Sequence, residues 1–305
     1  FASIPVITQT VNAVNNSKTA RKLLDRTIGI DPDVLLPRYH SKTLHRRDAA
    51  RKPLATQVEK TGSTSGKVAL FATCYGEYNE PHIGEDLIRV YEHNNIPVIL
   101  AEGTQCCGMP KLELGDLDAV TAAKEKNIRA LAALVDEGWD IVTPVPSCTL
   151  MFKQELPLMF PQDADVQKVK NAMFDPFEYL MLRHRENKLK TDFKNPLGKI
   201  AYHVACHQRV QNIGLKTRDV LQLVQDTEVV PIERCSGHDG TYTVKSEFHE
   251  MAMKICRPVV NKVKQAEPDH YTSDCAMAAH HIESGLADGS KPEHPISLIR
   301  RAYGI

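Results

Sequence analysis

A repeated cysteine spacing constrains this chain more than any other feature of its sequence. Seven of the eight cysteines fit one template, a single cysteine followed by a Cys-Cys-Gly or Cys-Ser-Gly triplet and then by another single cysteine. The intervals are 32 and 42 positions in the first copy and 29 and 40 in the second. The first set is Cys74, Cys106, Cys107 and Cys148, and the second set is Cys206, Cys235 and Cys275. Scattered structural thiols would not repeat in this way, so the sequence predicts two metal sites in a duplicated scaffold.

The composition is that of an ordinary globular protein. Of the 305 residues 25% are charged and 42% are hydrophobic, and the formal net charge is zero. A chain of this length can bury a real core, and its charge balance suggests no nucleic-acid partner. No apolar run approaches the roughly 18 residues of a membrane-spanning helix, and the segment that starts at Phe1 does not look like a secretory signal. We expect a cytoplasmic protein, with peripheral association at the inner face of the membrane as an alternative.

The cysteines are expected to be reduced. Disulfide frameworks belong mostly to small extracellular domains, and a chain of this size does not need them. Cys106 and Cys107 are neighbours in sequence, a geometry that is poor for a disulfide between them. Thiolates acting as metal ligands are therefore the better interpretation.

Residues 1–66 are predicted to be a lead-in of helices and loops. Lys18–Ile28 has helical spacing, and residues 42–51 are rich in Lys, Arg and His. We predict a solvated basic arm at 42–51, with contact to a partner subunit or an anionic membrane surface as the alternative. The Gly, Ser and Thr content of residues 61–66 predicts a flexible linker.

The rest of the chain alternates strand-like and helix-like segments twice, in a first half at 67–190 and a second half at 191–305. Strands are predicted at 67–74, 97–101, 139–143, 199–205, 228–232 and 270–273. Helices are predicted at 84–94, 116–137, across a bridge at 151–190, and at 217–225, 245–265 and 294–303. This alternation predicts an α/β fold with two pseudo-repeated parallel-sheet, Rossmann-like halves. Because ligands collect at the carboxyl ends of parallel strands, each cysteine set should converge on one point there.

The first set supplies four thiolates, the number that an iron–sulfur cluster needs. Gly108 follows the vicinal pair and would let the backbone bend around a cluster and present its N–H groups to sulfide. We predict a [4Fe-4S] cluster at this site. The same four thiolates would also satisfy structural zinc, which stays open.

The second set supplies only three thiolates, because Ser236 stands where the first set has Cys107. Histidines lie close in sequence, at His203, His207, His238, His280 and His281. Either a histidine, with His207 and His238 as the candidates, completes the metal sphere, or a cluster keeps an open iron, as a catalytic site does. The alternative is that these histidines form hydrogen bonds within strand-end loops. The cofactor is expected to be [4Fe-4S], another iron–sulfur cluster or zinc.

Two further residues are expected to have structural roles only. Cys256 lies off the template, on a long predicted helix, and is expected to be a small apolar core residue. Trp139, the one tryptophan, is also expected in the core.

The cysteine sets and the segments around them resemble the cysteine-rich CCG domain family. The segments that carry the resemblance are Cys106-Cys107-Gly108, residues 203–207, Cys235-Ser236-Gly237, residues 237–242 and residues 294–298. They are more similar to the third subunit of anaerobic glycerol-3-phosphate dehydrogenase than to the B subunit of heterodisulfide reductase. The resemblance spans about residues 67–305. It implies a duplicated α/β fold, clusters held by the two cysteine sets, and electron transfer.

The resemblance implies an electron-transfer subunit that relays electrons between a flavoprotein dehydrogenase or a ferredoxin-type protein and a quinone or similar acceptor. One alternative is a heterodisulfide or thiol reductase with an open iron, and another is a zinc-stabilised scaffold without redox activity. Since the second pair is Cys-Ser, a five-cysteine noncubane cluster is not expected there. The glycerol-3-phosphate dehydrogenase subunit usually begins with a two-cluster ferredoxin module, whose cysteine motif this sequence does not contain. If such a module exists, it lies upstream of Phe1 or on another polypeptide. No predicted strand precedes GxGxxG, which disfavours a nicotinamide enzyme.

Overall fold

The computed structural model, which describes residues 3–55 and 57–305, contains two sheets whose strands are all parallel. The first sheet has the order β2-β1-β3-β4 and the second has the order β6-β5-β7. The strands are β1 (Val68–Leu70), β2 (Val98–Leu100), β3 (Asp140–Val142), β4 (Met173–Phe174), β5 (Gly198–His203), β6 (Thr227–Ile232) and β7 (His270–Ser273). The predicted α/β fold with two parallel-sheet halves is confirmed.

Helices connect the strands throughout. The lead-in contains α1 (Pro5–Asn16), α2 (Lys18–Ile28) and α3 (Leu44–Asp48). Next come α4 (Cys74–Tyr78), α5 (Pro81–His93), α6 (Met109–Glu113), α7 (Leu117–Asp136), α8 (Pro146–Leu150), a π-helical turn (Met151–Glu155), α9 (Leu156–Met159), α10 (Ala164–Ala172) and α11 (Pro176–Arg185). The remaining helices are α12 (Cys206–Arg209), α13 (Lys216–Leu221), a 3₁₀ turn (Tyr242–Val244), α14 (Ser246–Ala266), α15 (Ala276–Leu286) and α16 (Pro295–Tyr303). Within the described residues, no helix is both long and apolar enough to cross a membrane.

The two sheets share one local topology. In each, the first strand in sequence lies in the centre, the second pairs with it on one side, and the third pairs with it on the other. The loops after these three strands therefore meet at one edge of the sheet, next to the point where the strand order reverses. Ligand sites of open α/β sheets lie at such switch points.

Successive strand residues point to opposite faces of a sheet. Both faces of the two sheets pack against hydrophobic clusters. Leu70 of β1 and Tyr202 of β5 belong to one large hydrophobic cluster that fills the space between the two sheets. Helices α5, α11, α13 and α16 contribute to this shared cluster. Ala69 and Phe71 face a second cluster under α7 and α10, and Ala201 faces a third under α14. The layers are thus helix, sheet, helix, sheet and helix.

Helix α16 joins the two halves. It packs against α5, and its Tyr303 is 1% exposed. The Tyr303 ring centroid lies 4.4 Å from that of His93 and 4.5 Å from that of Phe193. The Tyr303 hydroxyl donates to the carbonyl of Lys190 at 2.6 Å. The first half is therefore packed against a helix that comes last in the sequence.

Two sequence predictions about this part of the chain were wrong in detail. The bridge at 151–190 is not helical throughout, because β4 lies inside it and Met173 pairs with Ile141 of β3. The strands at 67–74 and 199–205 are also shorter than predicted. The chain leaves β1 and β5 before Cys74 and Cys206, and the short helices α4 and α12 begin at those cysteines.

The predicted flexible linker at 61–66 is an ordered turn. Thr61 and Thr64 form a β-bridge, and Thr64 is 1% exposed. The Ser65 amide donates to Asp140 Oδ2 at 2.6 Å, and the Gly66 amide donates to the Tyr179 hydroxyl at 3.1 Å. The conformation of this turn is stabilised because side chains far away in the sequence accept hydrogen bonds from its backbone amides.

The predicted solvated basic arm at 42–51 instead packs on the first half. Leu44 is fully buried, and the guanidinium of Arg51 donates to Glu92 at 2.6 Å and to the Val98 carbonyl at 3.0 Å. Arg47 pairs with Glu85 at 3.0 Å. Acidic side chains of the first half therefore pair with part of the basic arm, and composition alone does not reveal these contacts.

Candidate metal centres

The first cysteine set converges at the carboxyl edge of the first sheet. Cys74 begins α4 after β1, Cys106 and Cys107 lie in the loop after β2, and Cys148 lies in α8 after β3. The sulfur atoms of Cys74 and Cys106 are 3.9 Å apart. Cys107 and Cys148 are buried, whereas Cys74 is exposed and Cys106 is partly exposed. The site therefore has a closed inner side and an open outer side.

The four sulfur atoms interact electrostatically. Hydrogen bonds from the thiols of Cys107 and Cys74 lower the pKa of Cys106 to about 2. The hydrogen bond to Cys106 is also the main cause that raises the pKa of Cys74, and those to Cys106 and Cys148 raise the pKa of Cys107. A thiolate at Cys106 is thus stabilised by its neighbours, while further deprotonation is opposed. Four thiolates at this spacing need a cation between them.

Asn127 of α7 holds the loop that carries the vicinal pair. Its side chain is fully buried. Its Oδ1 accepts a hydrogen bond from the Gln105 amide at 2.8 Å, and its Nδ2 donates to the Cys106 carbonyl at 3.0 Å. Sequence reasoning missed Asn127, because an asparagine in a long amphipathic helix carries no signal about a partner some 20 positions away.

Thr73 precedes Cys74 and has φ 63° and ψ 159°. Residues other than glycine rarely adopt this backbone conformation. Such a backbone costs about 1–3 kcal/mol and clusters at ligand sites. The Thr73 hydroxyl accepts a hydrogen bond from the Gly76 amide at 2.9 Å, which caps α4. The cap and the β1–α4 turn together fix the position of Cys74.

The second cysteine set occupies the equivalent edge of the second sheet. Cys206 begins α12 after β5, Cys235 lies in the loop after β6, and Cys275 immediately precedes α15 after β7. Burial and then the neighbouring Cys235 raise the pKa of Cys206. Burial raises the pKa of Cys275 to about 11, with Cys206 a minor contributor. The three thiols are therefore within electrostatic reach of one another.

Ser236 takes the place of Cys107 and has a local role. It is 3% exposed, and its hydroxyl accepts a hydrogen bond from the His238 amide at 3.3 Å. The backbone amide of Gly237 donates to Cys235 Sγ at 3.3 Å. Gly237 has φ 76°, as Gly108 in the first half has φ 97°. Both triplets thus need a glycine that turns the chain in the left-handed region.

Substitution by alanine is expected to destabilise the protein by different amounts at Gly108 and Gly237. A Cβ at Gly237 would lie 2.3 Å from the carbonyl oxygen of Ala252 on α14, whereas one at Gly108 would make ordinary contacts of 3.5 Å or more. Gly108→Ala should lower the free energy of unfolding by about 1–2 kcal/mol for the backbone conformation alone. Gly237→Ala should cost about 1–3 kcal/mol more. Urea denaturation of both variants measures this difference, and equal costs would contradict it.

The candidate histidines of the second half have partners of their own. His207 Nε2 lies 4.0 Å from Glu113 Oε1, in the first half, and its side chain is 39% exposed. His238 Nδ1 lies 3.2 Å from the Thr243 hydroxyl, and burial lowers the pKa of His238 to about 4. Their roles as metal ligands stay predictions.

Of the other three histidines, His203 and His280 form hydrogen bonds or ion pairs within the protein, whereas the Nε2 of His281 has no hydrogen-bond partner among the described residues. His203 is 2% exposed, and both of its ring nitrogens lie 3.0 Å from polar atoms of the protein. His280 pairs with Glu80 of the first half and with Glu283. His281 is buried, with its ring centroid 6.5 Å from that of His238. The expectation that Cys256 is a core residue is confirmed, since it is fully buried.

A cavity of about 450 Å³ adjoins the open side of the first site. Cys74 and Cys106 line it, and His45 of α3 and Lys126 of α7 form part of its wall. His45 Nδ1 lies 2.7 Å from Glu77 Oε2. The lead-in therefore contributes a titratable side chain beside the exposed thiols.

The contact between His45 and Glu77 predicts a pH dependence in α3. The hydrogen bond to Glu77 raises the pKa of His45 above 6.5. The stability that the protonated His45 gains from Glu77 is complete below pH 6.5, and it is lost as the pH rises through the raised pKa of His45. Amide exchange in α3, corrected for its intrinsic rate, should become faster as the pH rises above 6.5 through the raised pKa of His45. His45→Gln should remove this pH dependence, and the same pH dependence in that variant would contradict the assignment.

The sulfur spacing does not by itself define a metal ion. Within residues 3–55 and 57–305, no group of three or more Cys, His, Asp or Glu side chains has the arrangement of a ready metal-ion site. What the structure shows is the convergence of four thiols and of three thiols at the ends of equivalent strands.

Comparison with known proteins gives matches over both halves. A profile of the CCG cysteine-rich domain matches residues 68–153 and 200–282, which include all seven template cysteines. The chain is 28% identical to the C subunit of anaerobic glycerol-3-phosphate dehydrogenase from Escherichia coli K12 over 298 residues, 96% of this chain and 72% of the relative. The B subunit of fumarate reductase (CoM/CoB) from Methanothermobacter marburgensis is 28% identical over 75% of this chain and 44% of its own length. Lactate utilization protein A of Geobacillus kaustophilus is 27% identical over 74% of this chain and 94% of its own length.

Proposed function

Because the chain belongs to the CCG cysteine-rich domain family, as its cysteine motifs predicted, we propose that it is an iron–sulfur electron-transfer subunit of an oxidoreductase complex. The observation that carries the proposal is the convergence of four thiols at the edge of the first sheet. The names of two relatives, one part of a dehydrogenase and the other part of a reductase, support membership in such a complex.

The donor set of the first site fits a [4Fe-4S] cluster, which needs about four soft thiolates. Cys74, Cys106, Cys107 and Cys148 would hold it, and the bound cluster would supply one-electron transfer. Asn127 and Gly108 shape the loop of the vicinal pair, and the burial of Cys107 and Cys148 excludes water from the inner side. The exposed side at Cys74 and Cys106 is the side from which a partner can approach.

The second site would hold a second cluster on Cys206, Cys235 and Cys275. A fourth ligand would come from His207 or His238, or one iron would stay open, and another iron–sulfur cluster or zinc is the alternative here. The proposed partners are a flavoprotein dehydrogenase or a ferredoxin-type protein on one side and a quinone or similar acceptor on the other. We further propose that the complex associates peripherally with the inner face of the membrane.

A second candidate function is the direct reduction of a small disulfide at a cluster with an open iron. The second site favours it, because only three cysteine thiols, those of Cys206, Cys235 and Cys275, lie at the strand ends there. Anaerobic titration of the metal-loaded protein with a small disulfide separates the two functions. A change in the spectrum of the second site supports the reductase, and an unchanged spectrum supports relay of electrons only.

Anaerobic analysis of iron, zinc and acid-labile sulfide, with EPR on the same sample, tests the proposed function. Roughly eight iron and eight sulfide per chain would indicate two tetranuclear clusters. About half of that amount, with zinc making up the balance, would indicate one redox site and one structural site. The 3.9 Å between the sulfur atoms of Cys74 and Cys106 is also close to the roughly 3.8 Å edge of a tetrahedral zinc–thiolate site, so zinc is the alternative occupant that the metal analysis must exclude. Zinc alone would overturn the redox function.

A further inference from the structure

We propose that His203 is a positioning residue that fixes the spacing between Cys235 and Cys275, and that it is not a metal ligand. His203 is the last residue of β5, the central strand of the second sheet. The inference rests on the proposed function, in which these two thiols hold the same group. It assigns a role to a histidine that the sequence places near the second cysteine set without choosing it as a ligand.

The His203 ring lies between the two loops that carry these cysteines. Its Nε2 is 3.0 Å from the carbonyl oxygen of Arg234, the residue before Cys235. Its Nδ1 is 3.0 Å from the hydroxyl of Ser273, the last residue of β7. The ring therefore connects the β6 loop to the end of β7.

The hydrogen-bond partners determine the tautomer. A carbonyl oxygen can only accept, so Nε2 carries the proton and donates to Arg234. Nδ1 then accepts from the Ser273 hydroxyl. The Ser273 oxygen in turn accepts from the backbone amide of Cys275 at 3.3 Å. A continuous series of hydrogen bonds thus runs from the residue before Cys235 to the amide of Cys275.

Both ring nitrogens are engaged in this series, so neither has a lone pair left for a metal. Burial also lowers the pKa of His203 to about 4, which keeps the ring neutral and preserves the tautomer. In the first half a different side chain, Asn127, holds the equivalent loop from α7. The two halves therefore position corresponding cysteines with unrelated side chains.

Three substitutions separate the two hydrogen bonds. His203→Gln can still donate to the Arg234 carbonyl but loses the acceptor for Ser273. Ser273→Ala keeps the bond from His203 to Arg234 and removes both bonds of the Ser273 hydroxyl, the one to His203 Nδ1 and the one from the Cys275 amide. His203→Leu removes both bonds. The first measurement is the alkylation rate of each cysteine in metal-free, reduced full-length protein, read by mass spectrometry.

We expect His203→Leu to change the alkylation rates of Cys235 and Cys275 about fivefold, the effect of one buried hydrogen bond, while Cys74 and Cys106 keep their rates. His203→Gln and Ser273→Ala should alter Cys275 more than Cys235. Unchanged rates, or equal changes at all four cysteines, would overturn the proposal. Should His203→Leu fail to fold, the two milder variants test the same point.

The second measurement uses the loaded protein, with the first site as an internal reference. The three variants should keep the full metal content and shift the midpoint potential or EPR spectrum of the second site only. Loss of metal from the second site in His203→Gln and in His203→Leu, with full retention in Ser273→Ala, would identify a ligand and overturn the positioning role. If the wild-type second site binds no metal, the proposed function fails there, whereas the alkylation rates still test His203.

Discussion

Replacement of Cys107 by Ser is expected to weaken or alter only the cluster of the first site, with the loss of up to about half of the iron and sulfide from the anaerobically prepared protein. Cys107 is 2% exposed and interacts with the sulfur atoms of both Cys106 and Cys148. Its replacement therefore removes the thiol that connects these two cysteines. A serine hydroxyl stays protonated near neutral pH and is a poor substitute for a thiolate. The substitution makes the first triplet resemble the second, in which Ser236 occupies this place. Iron analysis and EPR measure the effect.

Cys256→Ala is the matched control for this prediction. Cys256 is also a fully buried cysteine, but it lies on α14 and outside the template. This variant should retain its full iron content and both EPR signals. Unchanged iron and spectra in Cys107→Ser would refute the ligand role of Cys107, and an equal loss in Cys256→Ala would show that the effect is not specific.

Tyr303→Ala is expected to lower the free energy of unfolding by about 3–5 kcal/mol, the cost of deleting a large buried aromatic side chain. The ring packs between His93 of the first half and Phe193, so the cavity would open inside the contact between the halves. Urea denaturation followed by far-UV circular dichroism measures the loss.

Tyr303→Phe separates packing from hydrogen bonding. It keeps the ring and loses only the hydroxyl, which donates to the Lys190 carbonyl at 2.6 Å and contacts the Asn94 side chain. The expected cost is about 0.5–1.5 kcal/mol, the net contribution of one hydrogen bond, because the Asn94 side chain keeps its bonds to Val90 and Lys190. If the two variants were equally destabilised, packing between the halves would not be the main contribution of Tyr303.

The sequence predicted the parts of the fold that depend on local pattern. The short apolar run at residues 97–101, Pro-Val-Ile-Leu-Ala, is typical of a strand buried on both faces, and so it stands out from the amphipathic helices on either side of it. The cysteines after the predicted strands could be placed at strand ends because parallel strands put their carboxyl ends at one edge. The boundaries near residues 66 and 190 stay predictions.

The parts that could not be predicted depend on contacts between remote residues. A two-residue strand such as Met173–Phe174 has no periodicity of its own and exists because β3 offers it an edge. The turn at 61–66 has the composition of a linker, but Asp140 and Tyr179 accept its amides. Asn127 and His203 likewise gain their roles from backbone atoms more than 20 positions away.

The contact between α16 and α5 has a consequence for the synthesis of the protein. A ribosome that has finished residues 1–190 has made all four cysteines of the first site, but not the helix that covers α5. Until residues 295–303 emerge, the growing chain exposes apolar surface of α5 to water and to chaperones. The order of events in the cell is therefore translation of both halves first and completion of the shared core afterwards. A nascent chain stalled before α16 should be more sensitive to proteases than the completed chain.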